Sequence, residues 1–200
     1  MKKIPSLFER DWDGDRSRVL PVVNPEAQWV IDGEGIPTRK RDGTAVLIRD
    51  GKMYARYDAK KGRTPPPDFE PCQEADPETG HRPGWVPVGD KPEYIHHRNA
   101  MFPGDEISEM ADGTYELCGP GVNGNNEKLE HLHLFPHGYE EINPPPPRSF
   151  GDLLEWFKTH LVEGIVWHNG RWDAAALRVV DRRMAKIKRK DFGLPWPVVE

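Results

Sequence analysis

Proline and glycine interrupt this chain so often that they decide what it can build. With 21 prolines and 19 glycines in 200 residues, turns and long loops must recur, which argues against an all-helical bundle. From Lys60 to Lys91 the chain is proline-rich and almost without periodicity, marked by Pro65-Pro66-Pro67 and Pro83-Gly84-Trp85-Val86-Pro87. This reads as one long loop, either functional or a packed Ω-loop. Pro144 to Pro147 reads as a rigid spacer.

Between these breaks the pattern is mainly strand. Trp29-Val30-Ile31, Ala45 to Ile48, Lys52 to Tyr57, Thr114 to Cys118, Leu132 to Phe135, Gly164 to Trp167 and Ala185 to Arg189 are expected strands. Asp50-Gly51 is a two-residue hairpin signal, and Asn169-Gly170 a second turn signal. Asp173 to Val180 mixes helix and strand cues. Ser149 to Leu161 is the clearest helix. Ser149 is placed to cap it, and Phe150, Leu153, Leu154, Phe157 and Leu161 form its apolar face. Few helices scattered among strands imply an α+β fold with antiparallel sheets, not a doubly wound one.

The net charge of −5 means that the molecule as a whole does not attract nucleic acid. The stretch from Arg171 to Gly193 differs. It carries Arg171, Arg178, Arg182, Arg183, Lys186, Lys188, Arg189 and Lys190 against only Asp173, Asp181 and Asp191. That is a phosphate-handling face or a solvated one. Cys72 and Cys118 make neither a disulfide framework nor a zinc pattern, so a reducing compartment is expected. The start Met-Lys-Lys-Ile-Pro has no apolar signal run, and no stretch is long enough to span a bilayer. A soluble, cytoplasmic protein follows, in the host cytoplasm if the source is viral.

Thr38-Arg39-Lys40-Arg41-Asp42-Gly43-Thr44 sits between two apolar stretches and contains Lys-x-Asp-Gly. A lysine amine is a nucleophile only when deprotonated, which cationic neighbours such as Arg39 and Arg41 favour. The plainer reading is a charged hairpin loop turning at Asp42-Gly43. Four further stretches follow in order: Arg56 in Tyr-Ala-Arg-Tyr, Asp112-Gly113-Thr114-Tyr115-Glu116-Leu117-Cys118-Gly119-Pro120, Val162-Glu163-Gly164-Ile165-Val166-Trp167, and Ala185-Lys186-Ile187-Lys188. Lys186 and Lys188, two apart on a strand, share one face.

In this order the stretches resemble the covalent nucleotidyltransferase superfamily of ATP-dependent ligases and capping enzymes, over residues 38 to 188. The Glu-Leu-x-Gly-Pro form looks most like RNA ligases, in particular a small family found in phages and eukaryotes. The resemblance implies one nucleotidyltransferase domain over residues 1–200, ATP-grasp-like, with two antiparallel sheets flanked by helices and residues 60–91 as an insertion. Too few residues follow Lys188 for a downstream OB domain.

The resemblance also implies the chemistry. Lys40 attacks the α-phosphorus of ATP and becomes a lysyl–AMP adduct. AMP then passes to an RNA 5′-phosphate, and that end is joined to a 3′-hydroxyl. Lys186 and Lys188 grip the α-phosphate. Arg39 and Asp42 border the nucleotide, and Asp42 orients the amine or binds a metal-held water. Arg56 contacts the ribose or the incoming 5′-phosphate, and Glu116 accepts from a ribose hydroxyl. Phe135 stacks on adenine or belongs to the core. Glu163 holds magnesium, with manganese as the alternative. The implied partner is RNA with 5′-phosphate and 3′-hydroxyl ends, without a membrane or an obligate protein partner. His131, His133 and His137 look metal-like but do not match a zinc pattern, so they are expected to border the nucleotide from a strand. Glu34 is a candidate to read the base. The rivals are another adenylyl- or guanylyltransferase of this fold and an inactive nucleic-acid-binding relative.

Overall fold

The computed structural model describes residues 2–77, 79–100, 107–173 and 178–197, with backbone alone at 171–173 and 178–182. The strands described there are β1 (Phe8–Arg10), β2 (Val19–Val23), β3 (Ile36–Lys40), β4 (Thr44–Arg49), β5 (Lys52–Ala59), β6 (Glu70–Pro71), β7 (Arg82–Pro87), β8 (Gly113–Cys118), β9 (His133–Pro136), β10 (Gly164–Asp173) and β11 (Arg178–Lys188). The α-helices are α1 (Gln28–Ile31), α2 (Ile95–Asn99) and α3 (Phe150–Thr159). The fold is α+β with few helices, as the pattern implies. Three sheets are described, of two, three and six strands, instead of the two expected. No helix among the described residues is long and apolar enough to cross a membrane.

The chain forms two compact units, and the boundary falls between Arg41 and Asp42. The first is built chiefly on Asp42–His137. It contains the six-stranded sheet, ordered β6-β7-β5-β4-β8-β9, with antiparallel pairing throughout. β4 and β5 are joined by Asp50 and Gly51 at φ 52° and 65°, the positive-φ pair that a two-residue hairpin requires. Alternation along the strands sends Val46, Ile48, Met53, Tyr115 and Leu117 into one core, and Glu116 to the opposite face.

β7 overturns the expectation of a structureless loop from Lys60 to Lys91. Its prolines are tolerated for a geometric reason. Pro83 accepts from Cys72 N–H on the β6 side, so Pro83 and Pro87 turn their missing donors toward a strand of only two residues. Val86, opposite Ala55, turns its own backbone toward β5 and keeps that ladder intact.

The second unit takes in Ile4–Arg41, Gly138–Asp173 and the C-terminal strand. Its core gathers Leu7, Phe8, Trp29, Val30, Leu153, Phe157, Ile165, Trp167, Ala185 and Ile187. Trp29 to Ile31 is a helical turn, not the expected strand. Asn24 accepts from Glu26 N–H, and Pro25 opens a 3-10 turn that runs into α1. So short an apolar run carries no period to distinguish the two. Asn169-Gly170 lies inside β10 and makes no turn. α3 begins as expected, with Ser149 Oγ accepting from Asp152 N–H, but it ends at Thr159. Leu161 lies beyond it and is 56% exposed, so it is not part of the apolar face. β3 pairs with β10, Gly164 opposite Lys40 and Ile165 opposite Arg39. On its other edge the strap at residues 138–142 bonds to β3, Arg39 N–H donating to Glu140 O at 2.8 Å.

Candidate functional site

In the second unit, β11 alternates strictly near its end. Ala185 and Ile187 are fully buried in the core, so Lys186 and Lys188 turn to the other face. Gly164 explains how β11 comes so close to its neighbour. A Cβ there would lie 2.4 Å from Ile187 O and 3.2 Å from Lys188 Cα. The residue before it, Glu163, accepts from Lys40 Nζ and forms an ion pair with Lys188 Nζ at 3.7 Å. Asp191 accepts from Lys188 N–H at 2.8 Å and from Arg10 at 2.9 Å.

Three amines thus gather in the field of Glu163, with Asp191 as a second carboxylate. Burial depresses Lys186 to about 8, and the charges of Lys188 and Lys40 add to that effect while Asp191 and Glu163 oppose it. Lys188 is lowered as well, by burial first and then by Lys40. An excess of positive charge, held partly out of water, suits a phosphate anion.

The flanking arginines have partners in the strap at residues 138–142. Arg41 binds Glu140 in a two-point pair, at 2.6 and 2.5 Å, so its charge is matched locally. Lys186 and Lys188 each feel the charge of Lys40. Arg39 lies in β3, tied by its backbone to the strap.

Asp42, Gly43, Glu116 and Phe135 belong to the first unit. Gly43 N–H donates to Glu116 Oε1 at 3.1 Å, and His137 Nε2 approaches Glu116 Oε2 at 2.8 Å. A Cβ on Gly43 would lie 2.1 Å from Leu117 O, so only glycine fits against β8. The loop after β8 clamps this turn. Asn126 donates to Asp42 Oδ2 at 2.7 Å, Glu127 accepts from Asp42 N–H at 3.1 Å, and Asn123 donates to Gly43 O. Phe135 lies opposite Glu116 in the β8–β9 ladder, tilted against His133 with ring centres 5.8 Å apart.

Arg56 rests over the Trp85 ring at 5.2 Å. It lines a cavity of about 300 Å³ with Asp58, Gln73, Asp76 and His81 among its neighbours.

Among the described residues no group of three or more His, Cys, Asp and Glu is placed to hold a metal ion. Glu34 binds Arg183 at 2.6 Å and accepts from Asn169. The basic stretch is not one face. Arg189 is buried and donates to the carbonyls of Phe157, His160 and Pro195, while the side chains of Arg171, Arg178 and Arg182 lie outside the described residues. Sequence patterns did not point to Asn123, Asn126, Glu127 or Glu140. Only the local turn signal of the Gly119–Asn126 segment hinted at a built loop there.

Comparison with known proteins adds the family. A sequence model described as RNA ligase 1 matches residues 100–200. The chain is similar to RNA ligase 1 of Pongo abelii, 28% identical over 82% of this chain and 69% of that protein. It is also similar to RNA ligase 1 of Mus musculus, 34% identical over 60% of this chain and 43% of the relative, and of Danio rerio, 33% over 62% and 44%. The chain therefore spans less than half the length of the mouse and zebrafish relatives it matches.

Proposed function

Since the chain belongs to the RNA ligase 1 family, we propose that it joins RNA 5′-phosphate and 3′-hydroxyl ends at the expense of ATP, through a lysyl–AMP intermediate. The observation that carries this reading is the gathering of Lys40, Lys186 and Lys188 around Glu163.

In the first step Lys40 Nζ, having given up a proton, attacks the α-phosphorus of ATP. An N–P bond forms, the bond to the bridging oxygen breaks, and pyrophosphate leaves with that electron pair. Lys186 and Lys188 stabilise the negative charge that gathers on the α-phosphate oxygens. Glu163 holds the Lys40 amine against the strand end. In the second step the 5′-phosphate of RNA attacks the adduct and takes AMP. In the third, a 3′-hydroxyl attacks that end and AMP leaves.

Glu116 accepts from a ribose hydroxyl, Phe135 offers a ring face to the base, and Arg56 offers a guanidinium to a ribose or terminal phosphate. Arg39 and Asp42 border the nucleotide. The donor set fits magnesium only in the form this ion commonly takes, one carboxylate plus phosphate oxygens, with Glu163 as that carboxylate and manganese as the alternative. Such an ion would offset phosphate charge. The reading includes a nucleotidyltransferase fold for the whole chain, acting in a reducing compartment. Cys72 and Cys118 form no disulfide, in keeping with that.

The test is direct. The protein incubated with α-labelled ATP and magnesium should acquire label that survives denaturation, and Lys40→Ala should abolish it. With 5′-phosphorylated RNA, joined or circular products should follow. Label from GTP but not ATP would favour the guanylyltransferase rival. Preference for DNA ends would overturn the RNA assignment, and no label from either nucleotide would favour an inactive relative.

A further inference from the structure

Glu116 is held by two donors of fixed geometry. Its Oε1 takes the Gly43 N–H at 3.1 Å, and its Oε2 lies 2.8 Å from His137 Nε2. A carboxylate accepts, so Nε2 is the ring nitrogen that presents a hydrogen to Glu116. His137 Nδ1 is buried and has no hydrogen-bond partner among the described residues, so the ring's side-chain hydrogen bond is the one to Glu116.

His137 is itself fixed by the sheet. Its N–H donates to Thr114 O at 3.0 Å, which carries the β8–β9 ladder one step past Tyr115 and Pro136. It follows Phe135 by two residues, so both project from the same face as Glu116. The side chains of Glu116 and His137 are 14% and 24% exposed, which leaves the pair partly shielded yet reachable.

From this arrangement we infer that His137 is a positioning residue that locks the plane of the Glu116 carboxylate, so that each oxygen keeps one open acceptor site for the paired hydroxyls of a ribonucleotide. The inference rests on the reading of Glu116 as a ribose contact. One bond on each oxygen leaves one further acceptor direction on each, and two neighbouring hydroxyls are the natural complement. His137 makes no contact with the reacting atoms. It acts through Glu116, and its effect is selectivity for ribose over deoxyribose.

The test measures lysine labelling kinetics with ATP, 2′-deoxy-ATP and 3′-deoxy-ATP on the full chain. Wild type should prefer ATP. His137→Ala should raise KM for ATP roughly tenfold while kcat changes little, so that the preference over the deoxy forms collapses. His137→Gln, whose amide nitrogen reaches the position of Nε2, should restore the preference. Adding His137→Ala to Glu116→Gln should change nothing further, since the group it positions is already altered.

An unaltered ATP preference in His137→Ala would overturn the inference. So would a loss confined to kcat, or a collapse of preference in a folded His137→Gln protein. Wild type that labels equally well with all three nucleotides would remove the ribose role of Glu116 while leaving the ligase reading standing. Absence of label from any nucleotide would sink the ligase reading itself.

Discussion

Glu163 and Glu116 are both carboxylates largely withdrawn from water, with side chains 5% and 14% exposed, yet their surroundings differ in kind. Glu163 faces Lys40 and Lys188, with Lys186 adding its field and Asp191 as a second carboxylate nearby, so cations outnumber anions. Glu116 faces a backbone N–H and an imidazole, and each of its oxygens is answered once. The first unit thus holds its acid by directed hydrogen bonds, and the second holds its acid by charge. Surplus positive charge is relieved by an incoming anion, whereas a satisfied carboxylate with open acceptor sites is completed by hydroxyl donors.

The contrast can be broken most sharply by making both acids neutral. Glu163→Gln removes the carboxylate paired with Lys40 and Lys188 and should cost about 3 kcal/mol of stability. Glu116→Gln removes only charge assistance from two hydrogen bonds and should cost about 1 kcal/mol. Urea denaturation of the two variants measures the difference, and equal losses would contradict the distinction.

A smaller effect tests the close approaches that frame each acid. Gly43→Ala and Gly164→Ala put a Cβ 2.1 and 2.4 Å from a carbonyl oxygen of the neighbouring strand. Each should lower stability by about 2 kcal/mol, since backbone must shift to make room. Unfolding midpoints within error of wild type would mean that the neighbouring strand yields freely.

The smallest effect is one of pH. Lys186, depressed to about 8, should lose its charge as pH rises through that value. Pyrophosphate affinity should then fall by roughly fivefold between about pH 7 and pH 9, as one charge-assisted contact is lost. Lys186→Arg should flatten that fall, because a guanidinium stays protonated. Folding responds in the opposite sense. Between about 8 and 10.5 the unfolded chain binds more protons at this lysine than the folded one, so its contribution to stability rises with pH. Calorimetric titration at the two pH values decides, and equal affinity at both would remove Lys186 from the anion-binding group.

Much of this was legible because it depends on near neighbours in the chain. Asp50-Gly51, the Ser149 cap and the shared face of Lys186 and Lys188 follow from φ preference, capping chemistry and strand period. The same local rules failed where a partner strand or an upstream cap had the final say. β7 accepts prolines because of which side its donors face, and Trp29 to Ile31 turns helical because Asn24 and Pro25 start it.

The choice of ionic partner lay furthest from view. Arg41 stands beside Lys40 in the chain but spends its charge on Glu140, 99 residues away. Lys40 meets Glu163 across 123 residues, and Glu116 meets His137 across 21. The order of the motifs, through their resemblance to the covalent nucleotidyltransferases, proposed Lys40, Glu163, Lys186 and Lys188 as a set and Glu116 as an acceptor. Sheet order and register alone settled which charge faces which, because strand pairing converts distant positions into neighbours that no short-range rule can anticipate.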